Sequence, residues 1–100
     1  MVFVASTTAV AQPIHGFVEK QVVYTGGPYN KEVFRYRLRS PSKIEKGKQY
    51  PLVFFLHGAG ERGDDNKKQM RHFPQLWGKK AYTDAFDCFV LAPQCRTGKK

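Results

Sequence analysis

Residues 51–63 read PLVFFLHGAGERG, an apolar run that passes directly into a glycine-rich turn. Residues 51–56 carry no charge and show no alternation of apolar and polar side chains. A short run of this kind is typical of a central β-strand that is covered on both faces. The stretch therefore predicts a buried strand that delivers a glycine-rich loop, residues 57–63, to one edge of a sheet.

A second apolar run, residues 88–92, predicts a second buried strand, which Pro93 ends. Between the two strands we expect a helix over residues 66–73, capped by Asp64 or Asp65 and ended or kinked by Pro74. Residues 78–80 are predicted to form a break. Core positions are expected at Met70, Phe73, Leu76 and Trp77. Strand, helix and strand in this order predict a parallel pair with a right-handed connection.

Upstream, residues 17–24 and 31–39 have the composition of strands, with turn residues 26–30 between them. This arrangement predicts an antiparallel hairpin, followed by a basic loop over residues 40–49. In the second strand the cations alternate with aromatic and aliphatic side chains; they are Arg35, Arg37 and Arg39. The alternation predicts that these arginines form the solvated face of a half-buried strand.

The chain has 100 residues, enough for one domain, and a net charge of +9 from 17 Lys and Arg against 8 Asp and Glu. This charge raises the alternative of a basic, non-enzymatic binding module whose arginine stripe contacts nucleic acid or an anionic surface. The sequence contains no recognised nucleic-acid-binding module, and no apolar run approaches the ~20 residues of a membrane-spanning helix. We therefore expect neither nucleic acid nor a membrane as the main partner.

Residues 1–11 are uncharged, and Ala9-Val10-Ala11 has the small-x-small form of a signal-peptidase site. Because no basic segment precedes the apolar stretch, these residues resemble the second half of an export signal. A polar-aliphatic tail is the alternative. The first interpretation predicts a periplasmic or secreted protein whose domain occupies residues 12–100.

The turn itself has two interpretations. Gly58, Gly60 and Gly63 match the dinucleotide-binding pattern G-x-G-x-x-G between a strand and a helix. Three features oppose it: no apolar residue closely follows the third glycine, no acidic residue ends the next strand, and Glu61 would repel a pyrophosphate. A dinucleotide-binding βαβ unit is therefore the weakest of the hypotheses.

The second interpretation is an oxyanion-hole loop. Acyl transfer develops negative charge on a carbonyl oxygen, and backbone N–H groups at about 3 Å stabilise that charge. In sheet-based hydrolases one such donor comes from the loop after a central strand. Gly58, Ala59 and Gly60 are small enough to let the backbone approach a substrate. His57, at the strand end, is expected to brace the loop rather than act as a general base.

Two segments, YPLVFFLHGAGERGDDN at 50–66 and FVLAPQC at 89–95, resemble the amino-terminal part of an α/β-hydrolase. The resemblance is to bacterial, often exported, phospholipase/carboxylesterase-like proteins, also described as prolyl-oligopeptidase-type or dienelactone-hydrolase-like, and covers about residues 17–96. It implies an α/β fold in which the hairpin leads into the first parallel strands of an incomplete hydrolase sheet. It also maps the oxyanion N–H to Ala59, with Gly60 as neighbour, and gives Glu61 and Arg62 a role in holding the loop.

The same family requires a serine nucleophile on a G-x-S-x-G turn, followed along the chain by an acid and a histidine. The serines of this sequence, Ser6, Ser40 and Ser42, do not lie in such a turn. The resemblance therefore implies that nucleophile, acid and base lie beyond Lys100 and that this chain is a fragment with little or no turnover. It implies a parent enzyme that hydrolyses small-molecule carboxylic esters, with peptides less favoured, and needs no metal or organic cofactor.

The remaining reactive side chains do not form a site in the sequence. Cys88 and Cys95 are separated by an extended strand, which places them roughly 20 Å apart, too far for a disulfide. His15 lies in the amino-terminal segment, and His72 is expected at the surface. No Cys, His, Asp or Glu spacing matches a metal site.

Overall fold

A four-stranded mixed sheet carries the fold in the computed structural model, which describes residues 12–98. Its strands are β1 (Val18–Gly26), β2 (Tyr29–Arg39), β3 (Leu52–Phe54) and β4 (Phe89–Pro93), in the order β1-β2-β4-β3. The pairs β1–β2 and β2–β4 are antiparallel, and β3–β4 is parallel. The predicted export signal in residues 1–11 lies outside the described residues.

β1 and β2 form the predicted antiparallel hairpin, in which Val22 lies opposite Phe34. Gly27 and Pro28 make the turn between the strands. Gly27 has a φ of 53°, in the left-handed region that glycine occupies without a Cβ clash. The chain reverses here because glycine supplies the positive φ and proline fixes its own φ.

β3 and β4 form the predicted parallel pair, but β3 lies at the edge of the described sheet. Within residues 12–98, β3 has one covered and one open face, so the expectation of a central strand covered on both faces is not met there. Val53 packs against the core, whereas Leu52 and Phe54 are 60% and 56% exposed. A continuous apolar run does not indicate which face is covered, because both alternating sets of side chains are equally apolar.

The connection between β3 and β4 differs most from the prediction. No α-helix spans residues 66–73; 3₁₀ helices cover Lys68–Met70 and Phe73–Gly78, and an α-helix, α1, covers Lys80–Ala85. The break expected at residues 78–80 is where α1 begins. Within the described residues, no helix combines the length and apolar character that crossing a bilayer requires.

Local geometry explains why the predicted helix does not form. Asn66 has a φ of 55°, a left-handed conformation that does not occur inside an α-helix. The Oδ1 atom of Asp65 accepts the N–H groups of Lys67 and Lys68 at 3.0 and 3.2 Å. An aspartate thus caps this turn as predicted, but Pro74 follows and lacks the N–H that a continuing α-helix needs.

The two faces of the sheet differ in what covers them. The connection between β3 and β4 packs on one face, where the buried core consists of Phe17, Met70, Trp77, Cys88, Val90 and Ala92. Phe73 and Leu76 pack partly buried against this core, so the predicted core positions are confirmed. The opposite face, called the open face below, forms a shallow and mostly apolar groove lined by Val22, Phe34, Arg35, Tyr36, Leu38, Leu52, Leu91 and Pro93.

Arg37 and Arg39 of β2 lie on the covered face, so the prediction of a solvated arginine face is wrong for these two residues. The register pairs Arg37 with the buried Ala92, and Arg39 lies on the same face. Arg37 is 1% exposed. Its Nε donates to the carbonyl of Asn66 at 2.7 Å, and its Nη1 donates to the carbonyl of Phe17 at 3.3 Å. These carbonyls replace water around the guanidinium, which is why a cation can occupy the core side.

Candidate functional site

The glycine-rich turn leaves the carboxyl end of β3, beside the carboxyl end of its parallel neighbour β4. In open α/β sheets, ligands bind at this edge. Ala59–Glu61 form a 3₁₀ turn, in which Glu61 N–H donates to Gly58 O at 3.2 Å. The N–H groups of Ala59 and Gly60 have no acceptor within residues 12–98, and both residues are exposed. The turn therefore presents two adjacent backbone donors to solvent.

His57 connects this turn to the end of β4. The backbone N–H of Cys95 donates to its Nε2 at 2.8 Å. Because Nε2 accepts a hydrogen bond, the neutral ring carries its proton on Nδ1, which donates to Gly58 O at 2.6 Å. Backbone groups thus occupy both ring nitrogens. This arrangement fixes the loop and leaves no nitrogen available to take a proton from a substrate.

Gln94 contacts the later part of the loop, at Glu61, Asp65 and Asn66. Its side chain is buried, and its Nε2 donates to the carbonyl of Glu61 at 3.0 Å and to Asp65 Oδ1 at 2.9 Å. Its Oε1 accepts the N–H of Asn66 at 2.7 Å. The side-chain amide therefore binds three points of the loop.

Gly63 joins the loop to the residues that follow β4. Its N–H donates to the carbonyl of Cys95 at 3.0 Å. With its φ of 156°, a Cβ at this position would lie 3.3 Å from Gln94 Nε2. Glycine is favoured here because side chains rarely adopt this φ and a Cβ would crowd the Gln94 amide. No α-helix follows Gly63 before Lys80 to hold a pyrophosphate. The structure therefore does not favour the dinucleotide-binding hypothesis.

Asn66 joins the loop to the core and is fully buried. Its Nδ2 donates to Tyr36 O at 2.9 Å, and its Oδ1 accepts from Gln69 Nε2 at 2.5 Å. Sequence reasoning treated Asn66 as the start of a helix and missed this role, as it missed Gln69 and Gln94. An asparagine after two aspartates was the available signal, since asparagine tolerates positive φ.

Asp65 keeps its negative charge through hydrogen bonds. Burial on its own raises its pKa, but donors from Gln94, Lys67 and Lys68, together with the charge of Lys68, hold the pKa below the usual value. The carboxylate is therefore ionised at neutral pH and accepts the Gln94 amide.

Glu61 and Arg62 differ in their contacts with the loop. The side chain of Glu61 is 15% exposed, and its Oε1 lies 3.6 Å from His72 Nε2. The side chain of Arg62 is exposed and makes no polar contact within residues 12–98. Of the two residues predicted to hold the loop, only Glu61 is positioned to do so.

The arginine stripe offers little to a phosphate backbone. Arg37 is buried, Arg35 Nη1 lies 3.8 Å from Asp64 Oδ1, and Arg39 Nη1 donates to Ser40 O at 3.3 Å. The guanidinium groups therefore contact the protein itself, and the structure does not favour the basic binding module.

The described serines and cysteines lie outside the turn. Ser42, in the loop before β3, donates its N–H and Oγ to Asp87 Oδ1 at 2.8 and 3.2 Å. Cys88 is buried, and burial raises the pKa of its thiol; Cys95 is exposed, and no disulfide joins the two. Among residues 12–98, no cluster of three or more His, Cys, Asp or Glu side chains is arranged to hold a metal ion.

The chain is similar to a solved structure described as a thermostable esterase, with 39% sequence identity and a TM-score of 0.69. The similarity covers 83% of this chain, and the chain spans 22% of that esterase's length. No family model and no curated protein matches the sequence. The mixed sheet, with its antiparallel hairpin and parallel strands, therefore has an esterase-like fold.

Proposed function

We propose that this chain is the amino-terminal part of an α/β-hydrolase that cleaves small-molecule carboxylic esters with a serine nucleophile. The observation that carries the proposal is the 39% identity to a thermostable esterase over 83% of the chain. Because the chain spans 22% of that esterase's length, the nucleophile, acid and base are proposed to lie in a longer polypeptide that contains this sequence. Peptides are the less favoured substrate class.

In this proposal the turn contributes half of an oxyanion hole. Attack by serine on the ester carbonyl places negative charge on the carbonyl oxygen, and in this proposal the N–H groups of Ala59 and Gly60 donate hydrogen bonds to it. A further donor, the N–H of the residue after the nucleophile, supplies the other half of the hole. A histidine of the longer protein takes the serine proton and returns it to the leaving alcohol, after which water hydrolyses the acyl-enzyme.

The open face supports the placement in a longer protein. Leu52 and Phe54 are more than half exposed there, and leaving apolar surface in water costs about 25 cal/mol per Å². Sheets with parallel strands in α/β proteins are covered on both faces. We therefore assign the covering of the open face, and pairing with the outer edge of β3, to further segments of the same polypeptide.

The substitution Ala59→Pro tests the oxyanion role in the full-length protein that contains this sequence. Gly58 before it is extended, with a ψ of 174°, as the residue before proline prefers. Proline is well accepted at the first position of a helical turn, and the N–H that it removes has no acceptor within residues 12–98. We expect kcat for a p-nitrophenyl ester to fall by about 10²–10³-fold.

The matched control is Ala59→Ser, which retains the N–H group. It should keep kcat within about threefold of the wild type, and both variants should retain stability within about 0.5 kcal/mol. An unchanged kcat in the proline variant would contradict the donor assignment. A full-length protein that hydrolyses no carboxylic ester would contradict the proposed function itself.

A further inference from the structure

We infer that Gln94 is a positioning residue for the proposed oxyanion hole: its side-chain amide determines where the N–H groups of Ala59 and Gly60 stand. The inference rests on the proposed function of the turn. It extends that function to a residue that follows β4 and touches neither the substrate nor the reacting atoms.

The surroundings of the Gln94 amide permit one orientation. Both hydrogens of Nε2 have an acceptor, the carbonyl of Glu61 at 3.0 Å and Oδ1 of Asp65 at 2.9 Å. Oε1 faces a donor, the N–H of Asn66 at 2.7 Å. A reversed amide would set an oxygen against two acceptors and Nε2 against a donor. Gln94 is 3% exposed, so water has little access to replace these bonds.

The bond to Glu61 reaches the proposed donors directly. Glu61 is the last residue of the 3₁₀ turn Ala59–Glu61, and its N–H closes the turn on Gly58 O. Because peptide groups are planar, fixing Glu61 and Gly58 leaves the two N–H groups between them little freedom to rotate.

The residues after β4 that include Gln94 also hold the other end of the turn, at His57. His57 accepts the N–H of Cys95, the residue after Gln94. Gln94 is in turn fixed by its own N–H, which donates to the carbonyl of Arg35 in β2 at 3.0 Å. The residues after β4 thus hold the turn at both ends: the Cys95 N–H binds His57, and the Gln94 amide binds Glu61.

The test replaces the amide with a carboxylate of the same shape, Gln94→Glu, in the full-length protein. A carboxylate oxygen then takes the place of Nε2 and faces Glu61 O and the Asp65 carboxylate. Because all three groups are acceptors, their repulsion pushes the loop away. A displacement of about 1 Å at a catalytic group costs about 10²-fold in rate. We expect kcat per active site to fall about 10–100-fold with KM changed less than about threefold. Active sites are counted with a fluorophosphonate.

Four further variants separate positioning from folding. The double variant Gln94→Glu with Asp65→Asn removes the like charge and should recover about tenfold in kcat relative to Gln94→Glu; Asp65→Asn alone supplies the reference value for this comparison. Gln49→Glu adds the same charge at an exposed loop position and should change nothing. Gln94→Met removes the hydrogen bonds without adding a charge and should also lower kcat, which keeps the inference testable where the glutamate variant fails to fold.

The outcomes distinguish this inference from the proposed function. Lowered kcat in the Gln94 variants, with unchanged KM and partial rescue by Asp65→Asn, supports the inference. Folded Gln94 variants with wild-type kcat per titrated site overturn it, while the proposed function stands. A wild-type protein that hydrolyses no ester contradicts the proposed function, and the catalytic role of Gln94 with it.

Discussion

Replacing Arg37 with methionine tests whether the arginine stripe faces the core. The side chain is 1% exposed and donates to two backbone carbonyls, those of Asn66 at 2.7 Å and Phe17 at 3.3 Å. A hydrogen bond from a charged donor contributes about 1.5–3 kcal/mol, so the two contribute about 3–6 kcal/mol. Methionine keeps the apolar stem and needs no solvation of a buried charge, which offsets part of this loss. We expect the free energy of unfolding to fall by about 2–4 kcal/mol.

Urea denaturation of the 100-residue chain measures this change, with the fluorescence of Trp77 as the probe. Trp77 is the single tryptophan and is 4% exposed, so its emission reports loss of the core. Arg62→Met, at an exposed position, is the matched control and should change stability by less than about 0.5 kcal/mol. If Arg37→Met lowers the free energy of unfolding no more than the control does, the inward orientation of Arg37 is wrong.

Two further predictions concern titration and thiol chemistry. Because the pKa of Asp65 is lowered in the folded state, its ionised form stabilises the protein above its ordinary pKa of about 3.8, and this stabilisation is lost as the pH falls through the folded value. The stability difference between wild type and Asp65→Asn, from urea midpoints, should therefore shrink from neutral pH to below pH 4; a constant difference would contradict the assignment. In the native chain, Ellman's reagent should modify the exposed Cys95 quickly and the buried Cys88 only after unfolding, whereas equal rates would contradict the burial of Cys88.

Patterns with a short range in the sequence predicted much of the fold. The glycine-proline turn predicted the hairpin, and two apolar runs predicted the parallel pair β3–β4. The face of the arginines was not predictable in the same way. The carbonyls that accept from Arg37 belong to residues 29 and 20 positions away, and a period-two pattern contains no information on them.

At the site, too, local sequence patterns predicted some features, and contacts between distant residues determined the others. The glycines, the histidine and their place after an apolar strand were visible in the sequence, because such a loop needs small residues at the edge of a sheet. The predicted helix was wrong because Asn66 takes a positive φ and its neighbours bond to the Asp65 side chain. The role of Gln94 depends on a glutamine that meets a loop about 30 residues earlier in the chain, which no local pattern encodes.

The most direct test of the central claim is fluorophosphonate labelling, with mass-spectrometric mapping, of the 100-residue chain and of the longer protein that we propose contains it. We expect no label on the 100-residue chain, because the described serines Ser40 and Ser42 lie in the loop before β3 and not on a strand-to-helix turn. We expect the full-length protein to be labelled on one serine beyond Lys100, in a G-x-S-x-G turn. Covalent labelling of the 100-residue chain, or a full-length protein without a reactive serine, would contradict the account.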